Sequence, residues 1–174
     1  MQRTLVIGLG NADPALAATR HNAGRRLTGA LARLLRPVRL ADTAGCALFR
    51  SVHGNREWLI AEPLGAMNDS GRFVAGLVNA LHIRQGELLV VLDDVNLPIG
   101  AARLRADGSD GGHRGLRSVL AALGTTAVPR LRIGVGRPPR HIEMGDWVLS
   151  VPHPADNVRI DEVVTSAAEK LAAG

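Results

Sequence analysis

His21 stands in Thr19-Arg20-His21-Asn22-Ala23-Gly24, a polar stretch just ahead of a run of helical periodicity. An imidazole there can act as a general base if a carboxylate accepts its Nδ1 proton, which fixes the tautomer and raises the basicity of the other ring nitrogen. Asp93 follows directly on the apolar stretch Leu88–Leu92, at a strand end, and is the natural carboxylate for that task. Such a dyad suits attack of water on an activated ester, where general-base help of about 10²- to 10⁴-fold suffices without covalent catalysis.

Other chemistries fit the spacing less well. Gly8-Leu9-Gly10 follows a first apolar run as a dinucleotide-binding turn would, but the third glycine position is Asp13, Pro14 follows, and no acid lies between Asp13 and Asp42 to hold a ribose hydroxyl. Lys170 is the only lysine, so there is no P-loop lysine to hold a nucleotide. His21, His53, His82, His113, His141 and His153 show neither H-E-x-x-H nor Cys/His ligand spacing. Asp93-Asp94 with His113 could approach magnesium, yet neighbours on a strand face opposite ways, so only one of the two carboxylates enters a crevice easily. Ser70 and Ser109 lack the G-x-S-x-G elbow and Cys46 sits mid-strand, which leaves no covalent nucleophile. The expectation is a histidine base acting on water, with no metal and no cofactor.

Alternating strands and helices must position these groups. Thr4–Ile7 reads as a buried first strand, and Leu27, Leu31, Leu34 and Leu35 recur at helical spacing until Pro37. Ala47–Val52 and Trp58–Ala61 form a hairpin across His53-Gly54-Asn55. Val74, Leu77, Val78 and Leu81 make a second helix that Asn68, Asp69 or Ser70 can cap. Leu88–Leu92 is a continuous apolar strand, Ala101–Arg105 a short one and Arg130–Val135 another; Leu116, Val119, Leu120 and Leu123 lie on a helix between the last two. A final helix carries Ile160, Val163, Val164, Ala167, Ala168 and Leu171.

This order predicts an α/β fold: one domain over residues 1–174, a three-layer sandwich with a mixed, mostly parallel twisted sheet flanked by helices. Ligands bind beyond the carboxyl ends of strands in such sheets. Gly8–Asn11, Met67–Ser70, Asp93-Asp94 and the glycine-rich loop Asp107–Gly115 all fall at that end.

The 174 residues are 46% hydrophobic and 21% charged, which excludes disordered and low-complexity chains. With two Phe, two Trp and no Tyr, the core is aliphatic and base stacking on aromatic platforms is disfavoured. One cysteine cannot form an internal disulfide, and no signal-peptide or membrane-length apolar run occurs, so the cytoplasm is the expected compartment. The net charge of +5 is unevenly spread. Six Arg and no carboxylate lie between Pro14 and Ala41, and eight Arg against Asp107 and Asp110 between Arg103 and Arg140. Clustered guanidinium groups of this kind bind phosphate, so a polyanionic partner is expected.

Six ordered blocks carry a closer likeness: V-I-G-L-G-N from Val6, A-A-T-R-H-N-A-G from Ala17, A-M-N-D-S-G from Ala66, D-D-V-N-L-P-I-G from Asp93, G-G-H-R-G-L from Gly111 and R-L-R-I-G-V-G-R-P from Arg130. Together they resemble bacterial-type peptidyl-tRNA hydrolases. The resemblance implies hydrolysis of the ester between a peptide and the terminal ribose of tRNA by a metal-free α/β monomer. It implies that His21 is the base, Asp93 its orienting carboxylate, and that Asn11 and Asn68 hold substrate amide and carbonyl groups beside Met67. It further implies a tRNA phosphate clamp from Arg103, Arg105 and Arg132.

The sequence departs from the family at Asp13, at Leu16 and Ala66 where aromatics are usual, and at Arg114 where an Asn is usual, so Arg114 becomes a candidate substrate-binding residue. Relative to the family the chain also ends early, at Gly174, which implies a short or absent C-terminal segment on the tRNA side. These departures define two alternatives: an RNA-binding homologue without turnover, and a repurposed member acting on aminoacyl-tRNA in a biosynthetic step.

Overall fold

Strand β1 (Gln2–Gly8) is buried from Leu5 onward because both of its faces are covered. Leu5 and Ile7 enter one apolar cluster while Val6 enters another on the opposite side, as the two-residue period of a strand requires. The computed structural model describes residues 1–174. The same alternation holds in β5 (Leu88–Asp94), where Leu88, Val90 and Leu92 join the first cluster and Leu89 and Val91 the second. Together with β2 (Val38–Arg39), β3 (Cys46–His53), β4 (Arg56–Pro63), β6 (Ala102–Arg105) and β7 (Arg130–Gly134), these strands form one seven-stranded sheet in the order β2-β3-β4-β1-β5-β7-β6.

Helices α1 (Ala23–Leu35) and α5 (Pro154–Ala173) cover one face, burying Leu27, Leu31, Ile160, Val164 and Ala168. Helices α2 (Ser70–Ala80) and α3 (Arg114–Leu123) cover the other with Phe73, Val74, Leu77, Leu116 and Val119. Each large aliphatic side chain so buried contributes about 1.5–3 kcal/mol, and these layers hold the sandwich together. The expected α/β three-layer architecture is therefore present. Its parallel pairings are confined to the four central strands, β4-β1-β5-β7; the β2-β3, β3-β4 and β7-β6 pairings are antiparallel.

Two elements were not legible in the sequence. β2 is a two-residue, exposed strand, and α4 (Met144–Val148) is a five-residue helix with no buried residue, so neither carries a periodic apolar signal. The second helix also begins differently from expectation: none of Asn68, Asp69 or Ser70 caps it by a side-chain bond. A 3₁₀ turn, Met67–Asp69, precedes it, and the buried Ser70 hydroxyl donates to the Met67 carbonyl at 2.6 Å.

The chain leaves β1 toward β2, β3 and β4 and then crosses to β5 on the other side of β1. A crevice forms at such a switch beyond the strand ends. Gly8 and Gly24 let α1 approach it closely, since a Cβ on Gly24 would lie 2.4 Å from the Val91 carbonyl oxygen and one on Gly8 2.5 Å from that of Gly24.

Candidate active site

The turn that leads into α1 is a 3₁₀ segment, Arg20–Asn22, and its three side chains point to three different places. His21 Nδ1 lies 2.8 Å from Asp93 Oδ1 at the end of β5. Asn22 holds Asn11, accepting from its backbone N–H at 2.8 Å and donating to its carbonyl at 3.0 Å. Arg20 turns away toward the segment around α4, donating to the Ser150 hydroxyl at 2.6 Å and stacking 3.6 Å from the Trp147 ring centre.

A second histidine completes the centre. His113, at the N-cap of α3, places Nε2 3.0 Å from the same Asp93 oxygen, and its Nδ1 accepts the Leu116 backbone N–H at 3.1 Å. That bond settles its tautomer: Nδ1 is an acceptor, so Nε2 carries the hydrogen and donates to Asp93. With Asp93 as acceptor, His21 donates from Nδ1, and its Nε2, with no protein partner, is left with a lone pair. The imidazole centres are 4.8 Å apart.

Asp93 is 2% exposed. Burial alone would raise its pKa, but His113, followed by His21, outweighs it through hydrogen bonds and, once the rings are protonated at low pH, through their charge, and holds the carboxyl well below the usual carboxylate range. The donor atoms of His21, Asp93 and His113 are close enough to face one metal ion. Their hydrogen-bond polarity instead gives each nitrogen nearest Asp93 a hydrogen, an arrangement that orients protons rather than coordinates a cation.

Asn11, His21, Met67, Asn68, Asp93, His113 and Arg114 all line one cleft of about 780 Å³. Thus the expected catalytic and substrate-binding set is brought together. Met67 N–H donates to Asn11 Oδ1 at 3.0 Å, which takes one of that oxygen's two lone pairs and leaves the NH₂ as the wholly free function of Asn11. This narrows the expectation that it holds both amide and carbonyl groups. Asn68 is exposed with both amide functions free. Arg114 is the first residue of α3, exposed, and unpaired at the cleft wall.

The basic residues separate into two kinds. Arg103 lies directly across from Arg132, and Arg105 from Arg130, so all four share one face of the β6-β7 ribbon. Arg105 and Arg132 line the cleft and Arg103 does not. Arg103 and Arg105 are exposed and unpaired, whereas the Arg132 Nε–H donates to Asp94 Oδ2. Asp93 and Asp94 leave β5 in opposite directions, yet both line the cleft, so the expectation that only one of the two carboxylates enters it does not hold. Arg130 is buried and donates to the carbonyls of Gly108 at 2.8 Å and Thr126 at 3.1 Å, pinning the glycine-rich loop where Gly108, Gly111 and Gly112 have positive φ.

Sequence reasoning singled out His21 and Asp93 but gave His113 no part in the dyad and Arg20, Arg130 and Trp147 no part at all. The signal for His113 was its place between a flexible glycine loop and a helix start. The roles of the others depend on contacts across long sequence separations.

The sequence model of the family described as "Peptidyl-tRNA hydrolase" matches residues 5–173. The chain belongs to the peptidyl-tRNA hydrolase family. It is 42% identical to a peptidyl-tRNA hydrolase of Symbiobacterium thermophilum, covering 96% of this chain and 89% of that one. It is 37% identical to one of Aquifex aeolicus, covering 98% and 89%. A crystal structure of the peptidyl-tRNA hydrolase from Acinetobacter baumannii superposes with a TM-score of 0.90 at 28% identity, covering 97% of this chain and 86% of that one. A nucleosidase of Campylobacter jejuni shares the fold alone, at 9% identity and a TM-score of 0.55. In this member of the peptidyl-tRNA hydrolase family, no helix is long and apolar enough to cross a membrane.

Proposed function

We propose that this chain hydrolyses the ester bond between peptide and tRNA in peptidyl-tRNA, with His21 as the general base. His21 Nε2 takes a proton from water as the water oxygen attacks the ester carbonyl; the carbon–oxygen bond to the terminal ribose then breaks, and the ribose oxygen takes up the proton. Asp93 orients the His21 ring and steadies the imidazolium that forms. His113, through its own bond to Asp93, fixes which oxygen His21 meets. Asn11 and Asn68 donate to the carbonyl oxygens of the peptide and of the developing oxyanion. Met67 and Arg114 complete the substrate wall.

The phosphates of the tRNA meet Arg105 and Arg103, with Arg132 contributing the guanidinium nitrogens left free by Asp94. The protein acts as a cytoplasmic monomer. The observation that carries the reading is the His21 lone pair, braced by a buried carboxylate and opening on a cleft that also holds both asparagines. The test is turnover of peptidyl-tRNA by the natural protein and by His21→Ala. A fall of about 10²- to 10⁴-fold is expected from loss of the base; equal rates would remove His21 from the mechanism.

A further inference from the structure

Arg20 has no carboxylate partner within bonding distance although it is only 3% exposed, and its Nε has no hydrogen-bond partner. Burying a guanidinium this way is unfavourable unless the position demands it. The hydrogen-bond and stacking partners of the Arg20 side chain all belong to one stretch of chain. Nη1 donates to the Ser150 hydroxyl at 2.6 Å, the guanidinium stacks on Trp147 at 3.6 Å, and the Arg20 backbone N–H donates to the Ser150 carbonyl at 3.2 Å. Ser150 in turn donates its hydroxyl to the Trp147 carbonyl at 2.7 Å, and Trp147 Nε1 donates to the Gly136 carbonyl at 2.8 Å.

This stretch is also a wall of the cleft. Met144, Gly145, Val148 and Leu149 line it, while Trp147 is turned toward Arg20 instead. The adjacent residue in the turn is His21. A shift of α4 would therefore pull on the Arg20 side chain and, through one peptide unit, on the imidazole whose Nδ1 must stay 2.8 Å from Asp93. Asn22 fastens the other side of the same turn to Asn11, so the turn has little slack to absorb the movement.

We propose that Arg20, gripped by Trp147 and Ser150, is a positioning residue that couples the seating of the α4 wall to the alignment of His21. Substrate pressing on Met144, Val148 or Leu149 and the base that attacks it are then linked through one buried cation. The inference rests on the hydrolase reading, which names His21 as base, but the contacts themselves do not.

The test compares Trp147→Leu, which removes the stacking face, with Trp147→Phe, which retains one. In Trp147→Leu, kcat falls by about 10²-fold with a much smaller change in KM, the loss expected for a base displaced by an ångström or so. Trp147→Phe recovers most of that loss. The proton resonance of the His21 Nδ1–H bonded to Asp93 shifts or broadens in the Leu variant and not in the Phe variant. A folded Trp147→Leu protein with an unmoved His21 resonance and natural kcat overturns the coupling, whatever happens to stability. Should the Leu variant not fold, Ser150→Ala removes only the hydroxyl and must shift the same resonance and lower kcat, to a lesser degree; no change in either overturns it. The resonance needs no substrate, so absence of turnover by the natural protein refutes the hydrolase reading while the coupling is still judged.

Discussion

One oxygen, Asp93 Oδ1, takes hydrogens from two imidazoles, and the backbone of Leu116 decides which nitrogen of the second one offers its hydrogen. An ionised acceptor holds both rings more strongly than a neutral one. Replacing it by an amide in Asp93→Asn leaves at best one neutral oxygen for two donors, and kcat on peptidyl-tRNA is expected to fall by about 10²-fold or more while KM changes little. Steady-state kinetics on the purified variant measure this, and an undiminished kcat would mean that Asp93 does not orient the base. The dyad was legible because a strand end and a helix start are both readable from apolar periodicity. His113 was placed near Asp93 only as a possible magnesium partner, because its hydrogen bond to the same carboxylate oxygen depends on how the start of α3 packs over the end of β5. The altered standing of Arg132 has the same origin: Asp94 meets it only because β5 and β7 are neighbours in the sheet.

Elements hold these residues at fixed separations by close backbone approach. A Cβ on Gly71 of α2 would lie 2.1 Å from the Ser118 carbonyl oxygen of α3, a backbone atom that cannot swing away. Gly71→Ala therefore forces the two helices apart, with a cost of about 1–3 kcal/mol in a urea melt, and moves His113 at the start of α3 away from Asp93, lowering kcat. A melt unchanged from the natural protein would show that the helices can slide without cost.

At the other end of β5, Glu87 accepts from Arg84 side chain and backbone and from Arg3 at 3.2 Å, and these bonds hold its carboxyl down to about 2. A carboxyl depressed on folding adds stability that is present above the unfolded value, about pH 4, and is lost as the pH falls toward the folded one. Glu87→Gln is thus expected to lower the urea midpoint at pH 7, with the gap to the natural protein closing near pH 2. A gap independent of pH would assign the effect to something other than this charge. The long helices and inner strands were readable because each buries a periodic apolar stripe. β2 and α4 bury none, and α4 owes its place to Arg20 and Trp147 instead.

Across the whole molecule, the uneven charge seen in the sequence becomes a directional feature. The β6-β7 ribbon gathers Arg103, Arg105, Arg130 and Arg132 on one face beside the cleft, while acids dominate the stretch after His141. Of the four, Arg105 is both exposed and at the cleft edge. Arg105→Ala is expected to weaken tRNA binding and to lower the slope of log affinity against log salt by about 1, since each phosphate contact releases counterion. An identical slope in the two proteins, measured by filter binding across a salt series, would remove Arg105 from the tRNA surface.

Local order decided much of this protein in advance. Apolar periods set the strands and helices, glycines set where the backbone could turn or approach, and the motifs placed His21 and Asp93 at element ends that an α/β sheet turns toward one crevice. Hydrogen-bond partners are a different matter, because a side chain pairs with whatever packing brings within about 3 Å, at any separation along the chain. That is why only the folded structure could join His113 to Asp93, take Arg132 toward Asp94, occupy one side of Asn11 with Met67, and bury Arg20 against Trp147 next to the base.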